Sequence, residues 1–153
     1  MARLTYQPVT AERRADFEAL FEAPGSPKYC WCMAFRPLPG DRGTARGDVR
    51  KRAMMALIEQ GTPVGLIGYD GDTPAAWVSI APKRTYERIG GPKPAPGEDV
   101  WSLACMFVPR RRRGQGLAHE LVAAAVDHAR DQGATAVEGL SRRSRFAELP
   151  VHG

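Results

Sequence analysis

The sequence predicts a mixed α/β (α+β) fold, in which one sheet is flanked by helices, and three observations support this class. The β-rich runs at 64–69 and 75–81 are separated by an Asp-Gly signal that is typical of an antiparallel hairpin. A continuous apolar run at 100–108 predicts a buried central strand. The clearest helical periodicity follows at 117–132, with a further β-rich run at 134–140, so this part predicts a strand–helix–strand crossover unit.

The N-terminal part adds one strand, two helices and a loop. Residues 4–9 alternate apolar and polar side chains as a short strand does, and Thr10 offers a cap for a helix that ends at Phe21. The stretch 28–43 is rich in aromatic residues and proline without a clear period, so it predicts a structured loop. Apolar residues at helical spacing, followed by Gly and Pro, predict a second helix over 48–61.

Length and charge favour a single domain with an anionic ligand. A chain of 153 residues with 43% hydrophobic content can bury one core. A net charge of +5 is compatible with nucleic acid, anionic lipid or a phosphorylated cofactor. The densest basic run, at 110–113, directly precedes a Gly-x-Gly that opens a helix, and this position favours a bound phosphate. No membrane span and no export signal are visible, so we expect a cytoplasmic protein.

The candidate binding motif is the segment 113–118, which reads Arg-Gly-Gln-Gly-Leu-Ala. Gly114 and Gly116 allow tight turns and leave main-chain N–H groups uncovered, and the first helical turn adds unpaired donors. Two linked phosphates can bind such amides, with Arg113 adding charge-assisted bonds. The motif lacks the Gly-Lys-Ser/Thr of ATPase loops and the third glycine of the dinucleotide fingerprint, so we exclude both of these nucleotide folds.

With these motifs excluded, the segment resembles the pyrophosphate loop of the GNAT superfamily of N-acetyltransferases, whose pattern is Arg/Gln-x-x-Gly-x-Gly/Ala. The likeness covers about residues 4–139, because that family also places a hairpin, two helices and a strand ending in Val-x-Pro before the loop. It implies direct transfer of an acyl group from acetyl-CoA to the amine of a small molecule or protein, without a metal. The implied coenzyme A contacts are main-chain pairing with the pantetheine arm at Met106, Phe107 and Val108, and pyrophosphate binding at Arg113, Gly114, Gln115, Gly116, Leu117 and Ala118.

The resemblance also implies a shortened fold. In the family, the strand matching 135–140 is followed by a helix and two more strands, including a segment that commonly carries a tyrosine acid. Here a GNAT-like domain at 1–140 is followed by a short tail at 141–153, which has room for a helical turn or two but not for the three further elements. We therefore expect an uncovered sheet edge that favours homo-oligomers. A second interpretation is a catalytically impaired coenzyme A-binding or assembly module, and nucleic-acid binding through the arginines is the weakest.

Two side chains are candidates for the chemistry. Glu138 ends the last predicted strand and is either a general base for the acceptor amine or a solvated carboxylate. Cys105 lies in the central strand and is either a catalytic thiol or a small buried residue. Cys30 and Cys32 do not complete a tetrahedral ligand set, so we expect no metal site and reduced thiols.

One further segment bears on the acceptor. Arg84, Tyr86 and Arg88 lie between the predicted hairpin and the central strand. In a fold of this kind that segment borders the acceptor site. An acidic or phosphorylated acceptor would explain these side chains, and so would a solvated loop.

Overall fold

The structure is a computed structural model that describes residues 4–38, 40, 46–87 and 89–139, together with the backbone of 143–145. Within these ranges one six-stranded sheet is flanked by three α-helices. The strands are β1 Thr5–Pro8, β2 Gly65–Asp70, β3 Thr73–Pro82, β4 Val100–Phe107, β5 Ala136–Glu138 and β6 Arg143–Arg145, and the helices are α1 Arg14–Glu22, α2 Gly47–Glu59 and α3 Leu117–Asp131. This is the mixed α/β architecture that the sequence predicts.

The strands follow one another across the sheet in chain order. β1, β2, β3 and β4 form an antiparallel meander, and the predicted hairpin is the β2–β3 pair. The chain then crosses over through α3, so β5 lies parallel to β4, and β6 pairs antiparallel with β5. The predicted crossover unit is therefore β4–α3–β5, which places the start of α3 at the end of β4.

Helices cover both faces of the sheet. α1, α2 and part of the loop between them pack on one face through a core with six aromatic side chains. These are Phe17, Phe21, Trp31, Tyr69, Trp77 and Phe107. α3 packs on the other face through Leu117, Leu121, Ala125 and Ala129, which recur every four residues as an amphipathic helix requires. None of the helices among the described residues combines the length and apolar character that a membrane span needs.

Three boundaries differ from the prediction. The first helix begins with a 3₁₀ turn at Ala11–Arg13, and Thr10 makes no side-chain cap bond there. β5 covers only Ala136–Glu138 of the predicted 134–140. In the tail, residues 143–145 form a strand and not a helical turn, because the open edge of β5 pairs its backbone groups with them. The other tail residues lie outside the described residues, and self-association through the sheet edge stays a prediction.

Candidate active site

The segment that joins β4 to α3 forms a turn whose shape is fixed by two glycines. After a 3₁₀ turn at Arg110–Arg112, Gly114 and Gly116 adopt φ values of 81° and 78°. Residues with a Cβ atom are strained in this left-handed region, so both positions require glycine. Gly116 is the N-cap of α3 and makes no side-chain cap bond. The first amide N–H groups of α3 are therefore left for a ligand, at the positive end of the helix dipole.

A cleft of about 370 Å³ opens at this turn. It is lined by Met106, Phe107, Val108, Arg112, Arg113, Gly114, Gly116, Leu117 and Ala118. Every residue predicted to contact the cofactor lines this cleft except Gln115, whose side chain is exposed. Arg112 also lines the cleft, although it is not among the predicted contacts.

β4 and β5 diverge beside this cleft. Their parallel pairing joins only residues 100–102 to 136–138, whereas β4 continues to Phe107. Along residues 103–107, the side of β4 that faces away from β3 has no strand partner among the described residues. A shift of register against β3 also leaves Ala104 as an extra residue, so β4 bulges where β5 stops. The result is a slot in which backbone groups of β4 can pair with an extended ligand.

Arg112 connects the turn between β4 and α3 to Asp70, the last residue of β2 before the β2–β3 hairpin turn. Its Nη1 donates to Oδ2 of Asp70 at 2.9 Å, and its side chain is 18% exposed. Arg113 differs, because it is exposed and its Nε donates to the carbonyl oxygen of Val108 at 3.0 Å. Arg112 therefore holds the turn in place, while Arg113 lies at the surface of the cleft. The sequence could not indicate this tie, since Asp70 looks like an ordinary turn residue.

Glu138 lies at the inner end of the slot and is buried, with 8% of its surface exposed. Its Oε1 is 2.6 Å from Nζ of Lys83 and accepts a hydrogen bond of 3.1 Å from Oγ of Ser102. Lys83 also donates to the carbonyl oxygen of Pro92 at 3.0 Å. The interpretation of Glu138 as a solvated carboxylate is therefore wrong, because a short strand and a charged partner hold it inside the protein.

Cys105 packs against the core cluster that contains Cys32, which the loop between α1 and α2 carries to the same face of the sheet. The Cys105 thiol, and after it the charge of Arg36, lower the pKa of the Cys32 thiol, against the opposing effect of burial. Cys32 and burial raise the pKa of Cys105. A raised pKa favours the protonated form of Cys105, which disfavours it as a nucleophile.

Arg36 joins Cys32 to the sheet, and only 1% of this arginine is exposed. Its Nη1 lies 3.3 Å from Sγ of Cys32 and also donates to the carbonyl oxygen of Cys32. Its Nη2 donates to the carbonyl of Val64 at 2.9 Å, to Oγ of Ser79 at 2.8 Å and to the hydroxyl of Tyr86 at 3.2 Å. One buried guanidinium therefore connects the loop, β3 and the segment before β4.

Tyr86 does not lie on a solvated loop. It is 8% exposed, its hydroxyl is 2.8 Å from Oγ of Ser79, and it donates to the carbonyl of Ser102 at 3.3 Å. Burial raises the pKa of Tyr86. Arg84 does stay exposed, and Arg88 lies outside the described residues. The part of the chain that the structure describes contains no group of three His, Cys, Asp or Glu side chains suited to a metal ion.

Comparisons with known proteins agree with this geometry. A family model described as the acetyltransferase (GNAT) family matches residues 9–146. An acetyltransferase of the GNAT family from Brucella melitensis, solved in complex with acetyl-CoA, superposes with a TM-score of 0.57 at 12% identity, over 98% of this chain and 93% of that one. No curated protein sequence matches the chain.

Two further solved structures share the fold. The ribosomal-protein-alanine N-acetyltransferase from Brucella melitensis biovar Abortus 2308 has a TM-score of 0.57 and 13% identity, over 89% of this chain and 78% of that one. An aminoglycoside acetyltransferase from an uncultured soil metagenomic sample, in complex with sisomicin, has a TM-score of 0.54 and 12% identity. The match covers 89% of this chain and 76% of that one. Because the family model spans most of its length, the chain belongs to the acetyltransferase (GNAT) family.

Proposed function

We propose that this chain is an acyl-CoA-dependent N-acyltransferase that transfers an acetyl group from acetyl-CoA to an amine. The observation that carries the proposal is the start of α3, where Gly114 and Gly116 expose backbone amides beside the unpaired part of β4. A Cβ atom added at either glycine meets no atom within 4 Å, so the main chain faces open space that a pyrophosphate can fill. The slot along β4 is the proposed place of the pantetheine arm.

The acyl-transfer chemistry needs a deprotonated amine, a donor for the oxyanion and a proton for the leaving thiolate. In our proposal the thioester lies near the bulge at Ala104, where unpaired N–H groups of β4 can stabilise the oxyanion. Glu138 lies where β5 ends, and it accepts the proton of the acceptor amine directly or through a water molecule. The acceptor is the amine of a small molecule or of a protein, the two classes named for the solved structures of aminoglycoside and ribosomal-protein-alanine acetyltransferases.

Calorimetry and a thiol-release assay test this function together. We expect acetyl-CoA to bind at micromolar concentration, and thiol to be released when a panel of aminoglycosides, polyamines and peptide N-termini is added. Absence of acetyl-CoA binding would refute the proposal. Binding without thiol release from any amine would support the second candidate, a coenzyme A-binding module, which shares the same cleft.

Replacing Asp70 by asparagine tests whether the tie to Arg112 shapes the cleft. The substitution removes the charge that holds Arg112, so the turn loses part of its order before ligand binding. We expect the Kd of coenzyme A to rise about three- to fivefold, as for a partly exposed ion pair. The matched control is Asp72→Asn, two residues away on the exposed side of the same hairpin turn. Equal Kd values for the two variants would contradict this role.

Replacing Glu138 by glutamine tests the proposed base. Loss of a general base lowers kcat by roughly 10²- to 10⁴-fold with a small change in KM for acetyl-CoA. The control is Lys83→Gln, which breaks the same 2.6 Å ion pair but keeps the carboxylate. If both variants lose kcat equally, and lose thermal stability equally, Glu138 serves to hold the fold and is not the base.

A further inference from the structure

We propose that Lys83 is an internal acceptor of the acyl group, so that the chain acetylates the amine of its own Lys83 from bound acetyl-CoA. The inference rests on the proposed function, because it uses the same donor cleft and the same carboxylate of Glu138. It adds a modification site on this chain, whichever external amine the protein accepts. Three observations carry it: the carboxylate at the amine, the main chain that also holds the amine, and the nearness of Lys83 to the bulge of β4.

The first observation is the position of the Lys83 amine at the proposed base. Nζ of Lys83 lies 2.6 Å from Oε1 of Glu138, and the two side chains are only 11% and 10% exposed. A general base must lie within hydrogen-bond distance of the proton that it removes. An acceptor amine bound for the reaction therefore has to lie where this amine lies. Lys83 already places an amine, the group on which the protein is proposed to act, next to the carboxylate proposed to activate it.

The second observation is that main-chain groups also hold the amine. Nζ of Lys83 donates to the carbonyl oxygen of Pro92 at 3.0 Å, and a Cβ atom added at Gly91 would lie 3.2 Å from this Nζ. Gly91 has a φ of 77°, which a residue with a side chain adopts only under strain, so the backbone can approach the amine closely here. Two oxygens from separate segments thus fix the amine, and this lowers the entropy that an attack on a nearby thioester has to overcome.

The third observation is that Lys83 is close to the part of β4 where the thioester is proposed to lie. Its near neighbours in the chain, Ala81 and Tyr86, pack with Ala104 in one buried cluster. The carboxylate oxygen at the amine also accepts from Oγ of Ser102 at 3.1 Å, so the amine lies beside β4 two residues before the bulge. Two residues of a strand cover about 7 Å, and the flexible four-carbon stem of lysine lets its amine move over a distance of this order.

The transfer is balanced with acetyl-CoA as the other reactant. The ammonium of Lys83 gives one proton to the carboxylate of Glu138, and the free amine attacks the carbonyl carbon of the thioester. A C–N bond forms, the C–S bond breaks, and a second proton of the nitrogen goes to the leaving thiolate. Glu138 then releases its proton to water. In sum, one lysine ammonium and one acetyl-CoA give one acetyl-lysine, one coenzyme A and one proton.

The other lysines of the chain, at positions 28, 51 and 93, are internal references. Lys28 and Lys93 are exposed, so chemical acetylation by acetyl-CoA in solution favours them over a buried amine. Lys51 is the matched case, because its Nζ also lies next to a carboxylate, 2.7 Å from Oε1 of Glu18, but its side chain is 28% exposed and no residue of α2 lines the cleft. Preference for Lys83, the least exposed of the four, therefore requires a donor that is bound beside it.

The test incubates the purified full chain with acetyl-CoA and no external amine. We expect a burst of about one equivalent of thiol per chain, a mass gain of one acetyl group, and peptide mapping that places this group on Lys83. Because the amine is held beside the site, Lys83 should react at least about tenfold faster than any of the other lysines. Mapping uses the unmodified chain, so the result does not depend on whether a variant folds. Acetylation spread over the exposed lysines would overturn the inference.

Three variants locate the chemistry. Lys83→Arg keeps a positive charge beside Glu138, but a guanidinium stays protonated and is not acetylated, so this variant should lose the burst. Lys51→Arg should keep it. Gly116→Asp, which is designed to prevent donor binding, should acetylate Lys83 at least about tenfold more slowly at the same acetyl-CoA concentration. An unchanged rate in Gly116→Asp would show that the acetylation is chemical, and the inference would then be wrong.

The outcomes separate this inference from the proposed function. Binding of acetyl-CoA and transfer to an external amine, without an acetyl group on Lys83, would refute the inference and keep the function. Absence of acetyl-CoA binding would refute both. Acetylation of Lys83 in a chain that acetylates none of the external amines would support the inference and refute transfer to those amines.

Discussion

Replacing Gly116 by aspartate is expected to lower the affinity for acetyl-CoA by at least about a hundredfold, or roughly 2.7 kcal/mol. Gly116 has a φ of 78° and caps α3, so a side chain there enters the space next to the first open amides of the helix. An aspartate carboxylate repels the pyrophosphate at short range, and the left-handed backbone adds about 1–2 kcal/mol of strain. Calorimetry with coenzyme A measures the loss directly.

Two further variants separate the causes. Gly61→Asp is the matched control, because Gly61 has a φ of 79°, follows α2, and has no atom within 4 Å of an added Cβ. It introduces the same charge and the same strain away from the cleft, so coenzyme A should bind it normally. Gly116→Ala introduces strain without charge and should give an intermediate loss. Normal binding to Gly116→Asp would show that the pyrophosphate lies elsewhere.

Replacing Arg36 by methionine is expected to lower the free energy of unfolding by about 3–5 kcal/mol. Arg36 is almost fully buried and donates to groups of Cys32, Val64, Ser79 and Tyr86. Methionine fills part of the volume but leaves these acceptors without the guanidinium, and buried polar groups without partners are costly. Cys32 also has a left-handed φ of 59°, which the bond to its carbonyl helps to hold.

Thermal unfolding measures this effect. For a chain of this size, 1 kcal/mol shifts Tm by about 2–4 °C, so we expect a decrease of roughly 6 to 20 °C. Arg52→Met is the control, since the Arg52 side chain is 75% exposed and its ion pair with Asp48 spans 3.9 Å. That variant should stay within about 0.5 kcal/mol of the parent. If Arg36→Met lowers the free energy of unfolding by less than about 1 kcal/mol, the hydroxyl and carbonyl groups that accept from Arg36 find other donors.

Local patterns were sufficient to predict most of the fold and the cleft. The hairpin, the central strand and α3 each carry a periodicity or turn signal within a few residues, and the two glycines of the binding motif are separated by a single residue. The boundaries of β5 were less accurate, because its run of apolar residues is short and its pairing with β6 is decided by the open sheet edge. Elements with a strong local signal are therefore the ones that the sequence predicts well.

The polar contacts inside the domain have no comparable local signal in the amino-acid sequence. Asp70 and Arg112, Lys83 and Glu138, and Arg36 with Ser79 are pairs separated by more than forty residues. Each side chain is of an ordinary surface type, and only the packing of the sheet and its loops brings the partners together. Burial of a charged group depends on tertiary contacts. For this reason the base candidate Glu138 could be named from its place on a strand, whereas its ion pair could not.

The divergence of β4 and β5 has a consequence for how this site tolerates mutation. Much of the proposed contact surface consists of main-chain groups along residues 103–107 and at the start of α3. Most side chains there can change without removing a single donor or acceptor. Only substitutions that alter the path of the backbone, at the bulge of Ala104 or at the two glycines, remove the contacts themselves. We therefore expect binding of acetyl-CoA at the proposed site to tolerate most side-chain substitutions along these residues.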